Sequence, residues 1–298
     1  MRLTVSLIFF LSVFCFFSCS SPKQEQPRDS GSVSLSVPED ELPDLAQAIA
    51  RLGAALNVDG DFTGIMKNVF DAAGLPENLS GKIMENIAGN PAFILDLLSV
   101  MEGDPYLRLL VDKQHSLPSG YEPQDLVELA DGSYKAGRKG LMLRKAAADA
   151  LEEMAQVAKA QGVTLTASSA YRSYRYQEEV YSRNVREMGQ QAADRESARP
   201  GHSQHQLGLI IDFGSIDDSF AKTSEGKWIA ANARRFGWSI SYPDGYEDVT
   251  GYRWESWHYR YVGRDLAAFI NNYFEDIQQY ALRFIYEWEN HFVSPQNG

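Results

Sequence analysis

The 298-residue chain is poor in cysteine: it has only Cys15 and Cys19, both near the N-terminus. The rest of the chain therefore has no cysteine pair from which to form a disulfide. The same scarcity excludes thiolate metal ligands beyond residue 19, so a metal site there must be built from His, Asp and Glu. Histidine is scarce as well, with five residues at positions 115, 202, 205, 258 and 291.

Long apolar segments are also rare, and the one at the N-terminus is short. Leu3 to Phe17 is almost wholly apolar, Arg2 precedes it, and polar residues follow at once from Ser18. A membrane-spanning helix needs about 20 apolar residues. The segment therefore predicts a signal peptide over residues 1–18 rather than a membrane span.

The end of this segment carries a small residue followed by Cys19, which resembles the cleavage box of bacterial lipoproteins. Phe16 departs from the Leu usual in that box. The resemblance implies that Cys19 becomes the N-terminus and carries lipid, which anchors a protein to a membrane without spanning it. An ordinary secreted protein cut nearby is the alternative. Residues 19–38, rich in Ser, Pro and Gln, predict a flexible tether, so we expect a cell-envelope protein, exported and membrane-anchored on the periplasmic or outer surface.

Basic residues are outnumbered, with 28 Lys and Arg against 40 Asp and Glu. Removal of residues 1–18 takes Arg2 with it and makes the net charge −13. Because phosphate contacts require clustered Lys and Arg, this balance disfavours nucleic acid as a partner. The sequence leaves the oligomeric state open.

Helical and strand patterns divide the folded part of the chain. Apolar residues at three- and four-residue spacing predict four short helices up to residue 104. They contain no chemical motif, which favours a packing or positioning role over partner binding. Farther along, helices alternate with short apolar strands and indicate an α+β fold. The predicted divisions are a helical module, a mixed domain and a C-terminal helix, over residues 39–104, 105–267 and 268–298.

Two segments combine histidine with an acid, one holding His205 and Asp212, the other Glu255 and His258. A catalytic zinc takes three N or O ligands and keeps a fourth position for water. His205, Asp212 and His258 supply that number. Glu255 is then an unligated carboxylate that can take a proton from the water. Each residue alone also fits a structural role, but together they predict a zinc-dependent hydrolase.

Three motifs resemble those of the VanY-type D-alanyl-D-alanine carboxypeptidases of peptidase family M15. The first zinc motif of that family is similar to SQHQLGLIID at residues 203–212, and the second to ESWHYRYVG at 255–263. Its substrate-binding stretch is similar to SAYRSYRYQ at 169–177. The likeness covers roughly residues 106–267.

The resemblance implies a small mixed or antiparallel sheet flanked by helices, with the helical module as an addition. It implies zinc held by His205, Asp212 and His258, with Glu255 as the catalytic base. Arg172 matches a residue that holds the substrate and stabilises negative charge, and Gln177 and Ser203 match substrate-binding positions.

The implied reaction is release of a terminal D-alanine from peptidoglycan stem peptides. The alternatives are an L,D-carboxypeptidase acting on tetrapeptide stems, an endopeptidase that cuts cross-links, and a non-catalytic cell-wall-binding lipoprotein. Three residues depart from the family pattern: Gln204, Leu207 and Ile210 stand where Glu, Thr and Ala are frequent. We expect these departures to alter the width of the pocket.

Overall fold

The structure is a computed structural model, and it describes Gln47, residues 49–50 and residues 62–293. The predicted signal peptide, the lipidated Cys19 and the tether up to residue 38 lie outside the described residues. In the part of the chain that is described, no helix is both long enough and apolar enough to cross a membrane.

Two small sheets are present in the described residues. Strands β1 (Leu126–Glu128) and β3 (Met142–Arg144) form an antiparallel pair. The larger sheet has the strand order β2-β4-β5-β7-β6, in which β2 and β4 are parallel and the other neighbours antiparallel. Its strands are β2 (Lys135–Ala136), β4 (Thr166–Ser169), β5 (Ile210–Phe213), β6 (Trp238–Ile240) and β7 (His258–Tyr261).

Helices surround these sheets, which confirms the predicted α+β class. They are α1 (Phe62–Ala72), α2 (Glu77–Gly89), α3 (Ala92–Glu102), α4 (Lys145–Ala160), α5 (Tyr174–Met188), α6 (Gln190–Glu196), α7 (Ser224–Asn232), α8 (Glu247–Thr250), α9 (Arg264–Tyr273) and α10 (Gln278–Val293). Helix α4 buries the stripe Ala147, Leu151, Met154 and Ala158 in a core that also contains residues of the larger sheet. That packing follows the spacing of its apolar residues.

Strand β5 lies at the centre of the larger sheet, and all four of its residues are buried. Asp212 on β5 is in register with His258 at the start of β7 on one side and with Ser169 of β4 on the other. Cross-strand partners lie about 4.5–5.5 Å apart at Cβ. The sheet therefore brings together side chains that are 46 residues apart in sequence.

The apolar residues of α1–α3 pack in one cluster with those of α9 and α10. Phe93 of α3, for example, contacts the rings of Phe269 and Phe284. The helices before and after the mixed domain thus share a core, although the domain divisions themselves stay a prediction.

The apolar pattern of the sequence also predicts one long helix from Arg264 to Glu289, and this prediction is wrong, because the chain turns between α9 and α10. Glu275 and Asp276 have φ values of 54° and 61°, in the left-handed region that ends a helix. The turn lets Phe274 and Ile277 both enter the shared core. Apolar spacing alone did not reveal the break, since both helices continue the same pattern.

Candidate active site

The structure brings His205, Asp212 and His258 together, with one potential ligand atom from each lying within 4.8 Å of the others. His205 Nε2 lies 3.3 Å from Asp212 Oδ2, and His258 Nδ1 lies 3.0 Å from Asp212 Oδ1. All three side chains are buried. Two imidazoles and a carboxylate around one point match the ligand set of catalytic zinc sites.

Local backbone structure directs these side chains. His205 lies on a 3-10 turn, Gln204–Leu207, which ends at Gly208. Gly208 has a φ of 69°, a left-handed conformation that glycine adopts without steric cost. The chain then enters β5 and reaches Asp212. Gly208 therefore makes the bend between the first two candidate ligands.

The second ring nitrogen of each histidine is also engaged. His205 Nδ1 lies 2.7 Å from the carbonyl oxygen of Ala170, so its N–H donates there and Nε2 faces Asp212. His258 Nε2 lies 3.4 Å from Gln204 Oε1, and Nδ1 faces Asp212. Partners of this kind orient metal-binding imidazoles and fix their tautomers.

The electrostatics keep His205 and Asp212 in the protonation states that bind a cation. Burial, together with the positive charge of Arg172, lowers the pKa of His205 to about 4, so the ring is neutral at pH 7. Burial alone would raise the pKa of Asp212, but His205 and His258 outweigh it and hold that pKa well below its usual range. A neutral imidazole and an ionised carboxylate are the ligating forms.

Glu255 lies beside the cluster, with Oε2 3.5 Å from His258 Nδ1. Its backbone N–H donates to the carbonyl of Tyr242 at 3.0 Å, which fixes the loop before β7. Burial raises the pKa of Glu255 to about 7, and nearby Asp212 adds to the effect. A carboxyl group with a pKa near 7 can both accept and return a proton at neutral pH.

Arg172 reaches the cluster from the segment after β4. Its Nη2 donates to Asp212 Oδ2 and to the hydroxyl of Ser169, each at 3.0 Å. Its Nη1 lies 3.5 Å from Gln177 Oε1, and the buried Gln177 amide donates to the carbonyl of Ala198 at 2.7 Å. The arginine side chain is 19% exposed, so it remains open to a ligand while its position is fixed.

A cleft opens over these groups. Arg172, Gln177, Ser203 and Glu255 line it together with the three candidate ligands. Of the three family departures, Gln204 lines the cleft, whereas Leu207 and Ile210 lie fully buried in the protein interior. Leu207 and Ile210 therefore do not contact a ligand in the cleft directly, and their effect on its width stays a prediction.

Two tyrosines of the cleft carried no signal in the sequence. The Tyr242 ring lies 4.8 Å from the His258 ring and 4.7 Å from the ring of Tyr252. Both residues line the cleft beside Glu255. No spacing rule connects them with the histidine motifs, so the tertiary structure was needed to find them.

Comparisons with known proteins agree with this site. The family described as VanY, D-alanyl-D-alanine carboxypeptidase, matches residues 140–264. A Bacillus subtilis (strain 168) protein named as a carboxypeptidase, YodJ, is 37% identical over 199 residues, which are 62% of this chain and 73% of the relative. A D-alanyl-D-alanine carboxypeptidase of Enterococcus faecalis is 31% identical over 171 residues, which are 54% of this chain and 60% of the relative.

Two solved structures share the fold. The LD-carboxypeptidase LdcB aligns with a TM-score of 0.52 and 38% identity, over 56% of this chain and 85% of LdcB. A mutant of the VanY D,D-pentapeptidase in complex with Zn(II) aligns with a TM-score of 0.50 and 29% identity, over 59% of this chain and 98% of that protein. The chain belongs to the VanY-type D-alanyl-D-alanine carboxypeptidases, the zinc peptidases of family M15.

Proposed function

We propose that this protein is a zinc-dependent carboxypeptidase that removes the terminal D-alanine from peptidoglycan stem peptides. The observation that carries the proposal is the convergence of His205, Asp212 and His258 within 4.8 Å, with Glu255 and Arg172 in contact with that cluster. Similarity to D-alanyl-D-alanine carboxypeptidases supports the choice of substrate.

The donor set fits zinc. His205 Nε2, His258 Nδ1 and an Asp212 oxygen would hold the ion, because Ala170 and Gln204 engage the other ring nitrogens. Zinc, when bound, supplies a Lewis acid that polarises a carbonyl and lowers the pKa of its water to about 7. Zinc sites of this type use three protein ligands, which is the number available.

Two further residues act on the substrate. The Arg172 guanidinium is suited to a terminal carboxylate or to the oxyanion that forms when the peptide carbonyl is attacked, since it is planar and permanently charged. Glu255 accepts a proton from the attacking water and returns it to the amine nitrogen of the departing D-alanine as the C–N bond breaks. Gln177 holds Arg172 in place, and Ser203 lines the cleft beside it.

An L,D-carboxypeptidase that trims tetrapeptide stems is the second candidate. The 38% identity to LdcB favours it. The residues described above could cleave the terminal peptide bond of either a pentapeptide or a tetrapeptide stem. Digestion of purified pentapeptide and tetrapeptide stems, with mass identification of the released amino acid, separates the two activities. Release of D-alanine from the pentapeptide alone supports the first candidate, and release from the tetrapeptide alone supports the second.

A non-catalytic wall-binding protein would have no need of Glu255. We expect Glu255→Gln to retain bound zinc while turnover falls by about 100- to 10,000-fold. Metal content and peptide digestion should be measured before and after chelation, with Glu85→Gln, at an exposed position of α2, as the matched control. Unchanged turnover in Glu255→Gln, or in the chelated protein, would contradict the proposed mechanism.

We further propose that the protein acts at the cell envelope and is held there by lipid on Cys19. The short apolar segment and the Ser18-Cys19 sequence support this placement. Labelling of cells with a fatty-acid analogue should mark the wild-type protein, and Cys19→Ser should lose both the label and membrane association. Membrane association that persists without label in Cys19→Ser would contradict the anchor.

A further inference from the structure

A second cavity adjoins the catalytic cleft. Its walls are formed by Lys113, Asp194, Ser197, Arg199, His202 and Tyr252. Ser197 and Tyr252 also line the catalytic cleft. A substrate held in the cleft therefore lies next to this cavity, separated from it by two side chains.

Lys113 is held firmly at this cavity. Its stem lies directly on the backbone of Gly251, where a Cβ would come within 2.8 Å of the lysine Cδ. Its ammonium group lies 4.4 Å from the centre of the Tyr252 ring and donates to the carbonyl oxygen of Asp194. An ammonium group has three N–H donors, so this fixed cation retains donors for a further partner.

Arg199 supplies a second exposed cation. Its Nε and Nη2 donate to the two carboxylate oxygens of Asp194 at 3.0 and 2.9 Å. Tyr181 and Gln190 also donate to Asp194, so that carboxylate is already saturated. Glu247, the other acid near Lys113, is paired with Arg195. Burial and the charge of Arg199 lower the pKa of Lys113, an effect that an arriving anion would oppose.

We propose that this cavity is a subsite for a substrate carboxylate located upstream of the scissile bond, with Lys113 and Arg199 as its recognition residues. The inference rests on the proposed function, because stem peptides carry such carboxylates on the γ-linked glutamate and, where present, on diaminopimelate. The terminal carboxylate belongs at Arg172 in the cleft. An upstream carboxylate then meets the two cations of the adjoining cavity in a protein of net charge −12.

The test compares peptides that differ by one charge. Zinc-loaded enzyme is given stem peptides with γ-linked D-glutamate or its α-amide at the second position, each combined with lysine or diaminopimelate at the third. We expect kcat/KM to be about fivefold higher for one of the acid forms than for the counterpart that lacks that carboxylate, the effect of an exposed charge pair. In Lys113→Gln the two rates should become equal, so that the ratio falls to about one. Lys139→Gln, at an exposed lysine elsewhere, should preserve the wild-type ratio.

The pattern of ratios identifies which carboxylate is bound. If the higher kcat/KM depends on the residue at the second position, the bound carboxylate is that of the glutamate. If it depends on the residue at the third position, the bound carboxylate is that of diaminopimelate. Equal rates for all four peptides, or a uniform loss in Lys113→Gln, would overturn the subsite. Peptide affinity for zinc-loaded Glu255→Gln is measured in parallel. An acid preference in binding without any cleavage by the wild type would support the subsite and contradict the proposed function.

Discussion

The side-chain carbonyl oxygen of Gln204 lies 3.4 Å from Nε2 of His258. The same oxygen accepts a hydrogen bond from Ser241 at 2.8 Å. The hydroxyl oxygen of Ser241 in turn lies 3.5 Å from the side-chain carbonyl oxygen of the buried Gln278, at the start of α10. Gln204 thus offers His258 a neutral acceptor.

Loss of this acceptor should weaken zinc binding. We expect Gln204→Ala to reduce zinc affinity by about 10- to 100-fold, because the His258 ring loses the partner that fixes its orientation. Gln204→Glu should keep the affinity, since a carboxylate also accepts from Nε2. Competition with a chelator of known affinity measures the effect.

Gln206→Ala is the matched control for that measurement. Gln206 is equally buried, but its amide donates to the carbonyls of Pro118 and Tyr121 rather than to a candidate ligand. The Gln206→Ala substitution should lower the free energy of unfolding without the loss of zinc affinity expected for Gln204→Ala. Gln204→Ala protein that binds zinc as tightly as the wild type would refute the role of Gln204.

Arg172 should determine whether the enzyme requires a substrate peptide with a free C-terminal carboxylate. We expect Arg172→Lys to lower kcat/KM by about 100-fold, since lysine replaces a planar fork of donors with a point charge. Wild-type enzyme should also prefer a peptide with a free carboxylate over its C-terminal amide, and the variant should lose that preference. Rates on the peptide pair, with zinc content as the control, measure both effects. An unchanged preference in Arg172→Lys would exclude Arg172 from carboxylate recognition.

Much of the helical structure could be predicted because it depends on local spacing. Two of the four short helices that the spacing predicts, over Phe62–Ala73 and Leu79–Ala88, correspond to α1 and α2 with small changes at their ends. The candidate ligands could be chosen for a similar reason, since each of the two motifs that contain them fixes residue types at short range. The structure shows these side chains together, while their roles stay predictions until tested.

Other features depend on contacts between distant residues and could not be predicted. The order of the strands, the break at Glu275 and Asp276 and the core shared by the outer helices are of this kind. So is the partnership between Gln204 and His258, because no local pattern specifies which side chain faces a ring nitrogen. These features arise from tertiary packing, which overrides local preference.

Gly208 should be intolerant of a side chain. A Cβ there would lie 2.9 Å from Leu126 Cδ2, and the φ of 69° is unfavourable for alanine. We expect Gly208→Ala to lower the free energy of unfolding by about 2 kcal/mol. Gly74→Ala is the control, because Gly74 has a φ of 64° and open space around it. Urea denaturation measures the free energy of unfolding of both variants. Equal decreases in Gly208→Ala and Gly74→Ala would show that the backbone conformation alone, and not the contact with Leu126, causes the loss of stability.

Glu225 should make stability depend on pH. Its carboxylate accepts from the Thr166 N–H at 2.6 Å, and burial raises its pKa to about 7. The folded protein therefore retains a proton between the ordinary value of 4.5 and about 7, while the unfolded chain releases it. Folding stability should fall as pH rises through this window.

Glu225→Gln isolates that effect, since glutamine keeps an acceptor for Thr166 but does not ionise. Urea denaturation at pH 5, 6, 7 and 8 should show the variant gaining stability relative to the wild type as pH rises, with the difference levelling off above about pH 7. Because the other titrating groups are common to both proteins, they cancel in the comparison. A difference that stays constant over this range would show that Glu225 ionises with an ordinary pKa in the folded protein.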